Sequence, residues 1–442
     1  MWRTKKINET NKHHWDEFYS NENVKKIPPR QYSFREKLLL PISLLIAILF
    51  DRLVVAGLFG TLDAGRLFGA FWLCYMAVFY SFYWQRLKHD KVAWFVAACT
   101  AALCLWYFIF PYHNWQFATI TVLVIPNVLM AHAQWTAGAY TLKNSDGMAA
   151  AWFFGWFVKP FSGLFALFGA IGSLLSAGNK SVAKRALIGV CIALSLLLIV
   201  IPLLMGADQV FNHYLRQIFS GGGNWHITML HIFVIITAFG LFYSILWNVG
   251  YGETKRHRIT STRSIDDIIT CIVLGSVMLV YILFCLIQFA YLFASAGLPA
   301  GMAYYEYARQ GFAQTVVVCA INLLIFGVFL RFGKQHKALI YMLCGLLVLT
   351  GIMLFSGAVR LNLYIAAYGM TWLRLLSAWF IIYLAVVIFL CGLRLLYKKQ
   401  LPVVALCALA LLLWYVALGF LNPDNFITWF NYDSFIRPRY FS

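Results

Sequence analysis

Residues 338–358 read ALIYMLCGLLVLTGIMLFSGA, 21 consecutive positions without a charged side chain. Wound as a helix rising about 1.5 Å per residue, this stretch covers about 30 Å, the thickness of a bilayer's hydrocarbon core. Lys334 and Lys337 close it on one side and Arg360 on the other. Working outward, the same reading places crossings at 38–60, 67–84, 92–111, 116–135, 184–206, 225–249, 266–293, 311–330, 338–358, 372–396 and 401–421, eleven in all. The 442-residue chain is 62% hydrophobic and 12% charged, whereas a soluble domain carries about 25% charged residues. That imbalance excludes a soluble enzyme and predicts an all-α, polytopic helical membrane protein with about 11 transmembrane helices.

The stretch Ala149 to Ala177 is apolar enough to enter the membrane, but Lys159-Pro160 interrupts it and lysines flank it. It is expected to form a re-entrant hairpin or an interfacial helix pair. The division that follows is a basic arm over 1–37, amino-terminal membrane helices with the re-entrant segment over 38–177, and a second membrane domain over 178–442.

The formal net charge is +19, from 35 Lys+Arg against 16 Asp+Glu. A charge of this size suggests nucleic acid until its placement is considered. The basic residues sit in short segments between apolar runs, so no nucleic-acid partner is expected. With the amino terminus inside, 27 of the 35 basic residues fall on the cytoplasmic side, as the positive-inside rule requires. The carboxy terminus is then extracytoplasmic. All 17 lysines are cytoplasmic, while the outer basic residues Arg66, Arg216, Arg309, Arg360, Arg374, Arg437 and Arg439 are all arginine. A planar guanidinium binds carboxylate or phosphate through two parallel hydrogen bonds, which an ammonium cannot do. All ten cysteines lie inside apolar runs without a CxxC pair, and they read as small core residues. His226 and His231 are five apart, a poor spacing for one metal on one helical face, so neither metal nor cofactor is expected.

Four polar clusters fall on the predicted outer side. Asp208 follows the fifth crossing; Glu306 and Arg309, three apart and able to pair on a helix, lead into the eighth. Arg360, Tyr364 and Tyr368 recur every four residues along one helical stripe, Gly369 suits a helix stop, and Arg374 starts the next span. Asn422-Pro423-Asp424 follows the last crossing. Tyrosine and arginine at one level also describe an interfacial belt, but a belt needs no acid, and acid-bearing clusters on one side favour a site. Within the membrane, Asp51 and Arg52 project about 100° apart, so each is expected to need another partner. Asn127, His132, Gln134 and Gln288 read as interhelical hydrogen-bonding groups.

The run Gln288-Phe289-Ala290-Tyr291-Leu292-Phe293, the segment YYEYARQGF at 304–312, the series Arg360, Tyr364, Tyr368-Gly369, Thr371 and Arg374, and Asn422-Pro423-Asp424 resemble a bacterial multi-pass membrane family catalogued as domain of unknown function 4173. The resemblance covers roughly residues 180 to 435, and Asp51 sits where relatives place an acid. Where relatives carry Arg-Met, this chain has Arg360-Leu361. The resemblance implies a shared helical membrane domain and supplies no activity, substrate or cofactor.

The chemistry points to a non-enzymatic protein of the bacterial cytoplasmic membrane, surrounded by membrane lipids. It would bind or move an anionic lipid or other envelope ligand through Asp208, Glu306, Arg309, Arg360, Tyr364, Tyr368, Arg374 and Asp424. Two alternatives stay open. One is an envelope transferase using a lipid-phosphate donor, with Asp63, Asp208 or Glu306 as its carboxylate. The other is a sensor or scaffold whose basic amino-terminal arm recruits a soluble partner or anionic lipid.

Overall fold

The structure is a computed structural model that describes residues 32–57, 63–110, 115–142, 145–174, 203–211, 225–252, 265–292, 304–334, 336–397 and 401–436, together with 189, 196 and 200. Helices dominate these residues, and no strand forms among them. The helices are α1 (Phe34–Leu49, extended by a π-helical turn Phe50–Val55), α2 (Ala64–Leu87), α3 (Lys91–Ile109), α4 (Trp115–Thr136), α5 (Met148–Phe157), α6 (Lys159–Ser162) and α7 (Leu164–Leu174). They continue with α8 (Trp225–Tyr251), α9 (Asp267–Leu292), α10 (Tyr304–Phe332), α11 (Lys337–Tyr368), α12 (Trp372–Leu396), α13 (Val403–Phe420) and α14 (Pro423–Asn431).

Ten of these helices are long and apolar enough to cross a membrane, and they match ten of the expected crossings. The eleventh, 184–206, lies almost wholly outside the described residues, as does the arm over 1–31. The helix built on 338–358 runs ten residues further than its apolar core, to Tyr368. Leu361 and Ile365 explain the extension: they pack with Met370, Leu375 and Phe426 at the helix end, so burial continues where charge-free sequence stops.

Local chemistry sets the helix ends. Ser33 and Glu36 form a reciprocal capping box at the start of α1, and the Asp90 carboxylate caps α3 by accepting from the Val92 and Ala93 amides. Gly369, at φ +77° and ψ 177°, ends α11 in backbone space essentially confined to glycine.

Interhelical polar contacts fix how the spans pair. Helices α1 and α8 run antiparallel and are pinned at both ends. Trp247 Nε1 donates to Glu36 Oε1 at 3.1 Å, and His231 Nδ1 lies 2.6 Å from Asp51 Oδ1. Arg86, ending α2, donates to the last carbonyls of α8, Val249 at 2.7 Å and Gly250 at 3.0 Å, where a cation also meets the negative end of the helix dipole. Trp106 of α3 donates to the Gly419 carbonyl of α13 at 3.0 Å. Trp379 and Trp414 exchange indole-to-carbonyl hydrogen bonds between α12 and α13. One core gathers α1 to α4, α7, α8 and α13, and two smaller ones gather α9 to α12. The later helices α8 and α13 therefore complete the core that the first four spans begin.

This alternation places every described lysine (Lys37, Lys88, Lys91, Lys159, Lys334 and Lys337) at one face, here called the lysine face. The opposite face carries the ends of α1, α11 and α13 and the starts of α2 and α12.

The interrupted segment is a bent pair, α5 against α6 and α7 at 48°. Its bend docks onto α8, where Ser244 Oγ and Asn248 Nδ2 both donate to the Lys159 carbonyl at 2.8 Å. Asn248 lies three residues from the end of α8, and the pair returns to pack Gly169 against Tyr32, just ahead of α1. Both the bend and the second limb thus contact residues near the lysine-face ends of α8 and α1. The bend allows no extra atom: a Cβ on Gly163 would stand 2.8 Å from Ser244 Cα. Gly163→Ala is expected to cost about 1–3 kcal/mol through overpacking, read as a lower unfolding midpoint in detergent. An unchanged midpoint would mean the bend is not seated on α8.

Candidate functional site

The corner between α11 and α12, opposite the lysine face, collects four of the expected site residues. Gly369 turns the chain, and Arg374, in the first turn of α12, reaches back to donate to the carbonyls of Tyr368 and Gly369. Its guanidinium carbon lies 4.0 Å from the centroid of the Tyr364 ring, close enough for a cation–π contact. Tyr364 and Tyr368 pack with ring centroids 5.3 Å apart, and Tyr368 is half exposed. One turn before Tyr364, Arg360 is 3% exposed and donates from Nη2 to Thr315 Oγ1 of α10 at 3.1 Å. One guanidinium is therefore held over the Tyr364 ring, and a second is buried one turn earlier on α11 against α10. From the carboxy-terminal helix α14, Asn431 accepts from the Met370 amide at 2.7 Å and donates to its carbonyl at 2.9 Å, which locks the corner.

Below this corner a polar seam runs down the interface of α9, α10 and α11. Ser356 donates to Gln288 Oε1 at 2.7 Å. Deeper, Tyr281 donates to Asn322 Oδ1 at 2.7 Å, and Asn322 Nδ2 donates to Thr350 Oγ1 at 3.0 Å. From Thr350 to Tyr364 the seam climbs about 21 Å of helix α11. In hydrocarbon each of these groups needs a partner, and each link ties two of the three helices.

The other expected residues sit apart from the corner or beyond what is described. Glu306 and Arg309 lie in the first turns of α10, at the corner's face, but their side chains fall outside the described set. Asp208 accepts from the Val210 and Phe211 amides of its own segment. Asp424 opens α14. Asp63, a candidate carboxylate for a transferase, pairs with Arg66 at 3.1 Å on the surface.

Among the intramembrane polar residues, His132 bonds across to the Tyr80 hydroxyl of α2 at 3.0 Å, and Gln288 bonds across to α11, both as expected. Asn127 and Gln134 correct the expectation. Asn127 donates back to the Leu123 carbonyl of its own helix, and Gln134 donates to Met130 Sδ one turn away. A helix's own preceding turn is always within reach of a short polar side chain, and it competes with a neighbouring helix.

Asp51 finds the partner that its place inside an apolar run demands. Asp51 is fully buried in the π-helical turn of α1, and its carboxylate meets His231 of α8. The second oxygen, Oδ2, makes no hydrogen bond among the described residues. It lies 3.8 Å from Arg52 Nε, whose side chain is largely exposed. The available signal was an acid and a histidine, each inside an apolar run. Their separation of 180 residues leaves no local pattern to join them. No group of three or more metal-ligating side chains occurs among the described residues.

Ten apolar helices, a bent helix pair and an interhelical polar seam define a polytopic integral membrane protein of the all-helical class. Residues 97–437 match the family model described as domain of unknown function (DUF4153), and the chain belongs to that family. This corrects the resemblance to family 4173. Tyrosine, arginine and Asn-Pro-Asp motifs at the ends of apolar helices answer the interfacial needs of any polytopic bundle, so they do not separate one such family from another. The match also begins well before residue 180, at the third span. No curated protein matches the chain, and no solved structure matches it.

Proposed function

We propose that this protein binds an anionic ligand, lipid-linked or carried in the envelope space, at the corner of α11 and α12, and presents or moves it along the membrane face opposite the lysines. The observation that carries the reading is a pair of arginines at one helix corner, Arg360 buried one turn before Tyr364 and Arg374 lying over the Tyr364 ring: a charge at membrane depth is costly and is retained where it serves a site. The guanidinium fork, the half-exposed Tyr368 and the seam beneath them suit a phosphate or carboxylate carried on an apolar tail. The test is binding of a polyisoprenyl phosphate to the purified protein by native mass spectrometry, against the neutral polyisoprenol. Equal retention of the two would end the proposal.

The same reading orients the chain, with the lysine face cytoplasmic and the corner outside, in a bacterial cytoplasmic membrane. The segregation of described lysines to one face supports it. A single cysteine at Ser434, in an otherwise cysteine-free chain, is expected to react with an impermeant maleimide on intact cells. Reaction only after permeabilisation would reverse the orientation.

A further inference from the structure

A second site opens at the lysine face, away from the corner. The ends of α1, α2 and α8 enclose a cavity of about 520 Å³ lined by Ser33, Phe34, Arg35, Gln85, Arg86 and Tyr251, among others. That volume lies within the range of small-ligand sites. Every lining residue is in, or next to, a terminal turn of its helix, so the cavity sits at the level of the lipid headgroups. Its walls are of two kinds. Arg35 and Arg86 bring two guanidinium groups, and Gln85 and Tyr251 bring further hydrogen-bonding capacity. Arg86 spends two of its five N–H donors on the α8 carbonyls and keeps the others. Glu36, which follows Arg35 in sequence, is buried, with its oxygens accepting from the Ser33 amide and the Trp247 indole. On the other side Phe34 is 79% exposed, an aromatic ring at the headgroup boundary.

We propose that this cavity is a binding site for an anionic phospholipid, with the headgroup phosphate between Arg35 and Arg86 and the chains descending past Phe34 and Phe82. A soluble anion would use the guanidinium wall and leave the exposed aromatic one idle; an amphiphile uses both. Basic pockets between transmembrane helices are a recurring way to hold anionic headgroups. The site is independent of the corner: it lies on the opposite face and shares no residue with it.

The test is competitive lipid retention. The full chain is placed in nanodiscs of equal phosphatidylglycerol and phosphatidylcholine, and the lipids that remain bound are counted by native mass spectrometry. The wild type is expected to retain phosphatidylglycerol preferentially. Arg35→Gln should weaken that preference about tenfold, the size of one lost charge-assisted hydrogen bond. Arg35 makes no cap, so its variant should unfold at the wild-type midpoint. Arg86→Gln should weaken the preference too, with some loss of stability from uncapping α8. Lys337→Gln, an exposed charge on the same face, should leave the preference intact. Equal loss in Lys337→Gln would show diffuse attraction to a basic surface, and an unchanged Arg35→Gln would show that the cavity does not hold the headgroup. Displacement of the lipid by excess inorganic phosphate would reassign the site to a free anion. Each of these three results overturns the proposal.

Discussion

Replacing His231 with alanine is expected to destabilise the protein by about 1–3 kcal/mol, the usual cost of leaving a buried polar group without its hydrogen-bond partner. Asp51 is fully buried, and His231 Nδ1, at 2.6 Å, is its hydrogen-bonding partner across the helix interface. Without the imidazole, the carboxylate keeps one ion-pair contact, Arg52 Nε at 3.8 Å, too long for a hydrogen bond. The double variant Asp51→Leu/His231→Leu removes both polar groups and is expected to recover to within about 1 kcal/mol of the wild type, since a matched apolar pair avoids the desolvation cost. Unfolding midpoints in detergent, read by tryptophan fluorescence, give the comparison. A double variant as damaged as His231→Ala would mean that the pair contributes through shape and not through its hydrogen bond.

The second large effect is expected at the corner. Arg360→Lys and Arg374→Lys keep the charge and lose the planar fork. If the arginines only anchor the helix ends, lysine snorkels equally well and both variants retain the bound anion. If they grip a phosphate, each variant should lose at least about tenfold in affinity for a polyisoprenyl phosphate. Arg374→Lys should also lose about 1 kcal/mol of stability, because the guanidinium bonds two carbonyls at the end of α11 and lies over Tyr364. Arg360 is expected to show the larger binding defect, since its guanidinium is the more deeply buried of the two. Wild-type affinity in both variants would reduce the corner to an anchor.

The family assignment illustrates where a sequence reading loses resolution. Glu306, Arg309, Tyr364 and Arg374 read as a ligand site, and the same motifs resemble a family to which the chain does not belong. Residue types at a helix end respond first to the bilayer interface, a demand shared by all polytopic proteins. The stripe of Arg360, Tyr364 and Tyr368 was legible because helical period is a local property. That Arg360 turns inward to Thr315 while Tyr368 remains half exposed was not legible, because a stripe has no direction until neighbouring helices are placed.

By itself the sequence determined what depends on local chemistry and on the solvent. Apolar runs of span length made ten helices long enough to cross, Lys159-Pro160 bent another apolar stretch into a helix pair, and Gly369 ended α11. Which spans touch was settled by packing in three dimensions. It paired α1 with α8 through Asp51 and His231, returned α13 to the first core through Trp106 and Gly419, and closed the lysine-face cavity from three helix ends. The reason is physical. Lipid tails are as apolar as leucine, so hydrophobicity puts a helix in the membrane without choosing its neighbours. Side-chain packing and a few hydrogen bonds between residues distant in sequence make that choice.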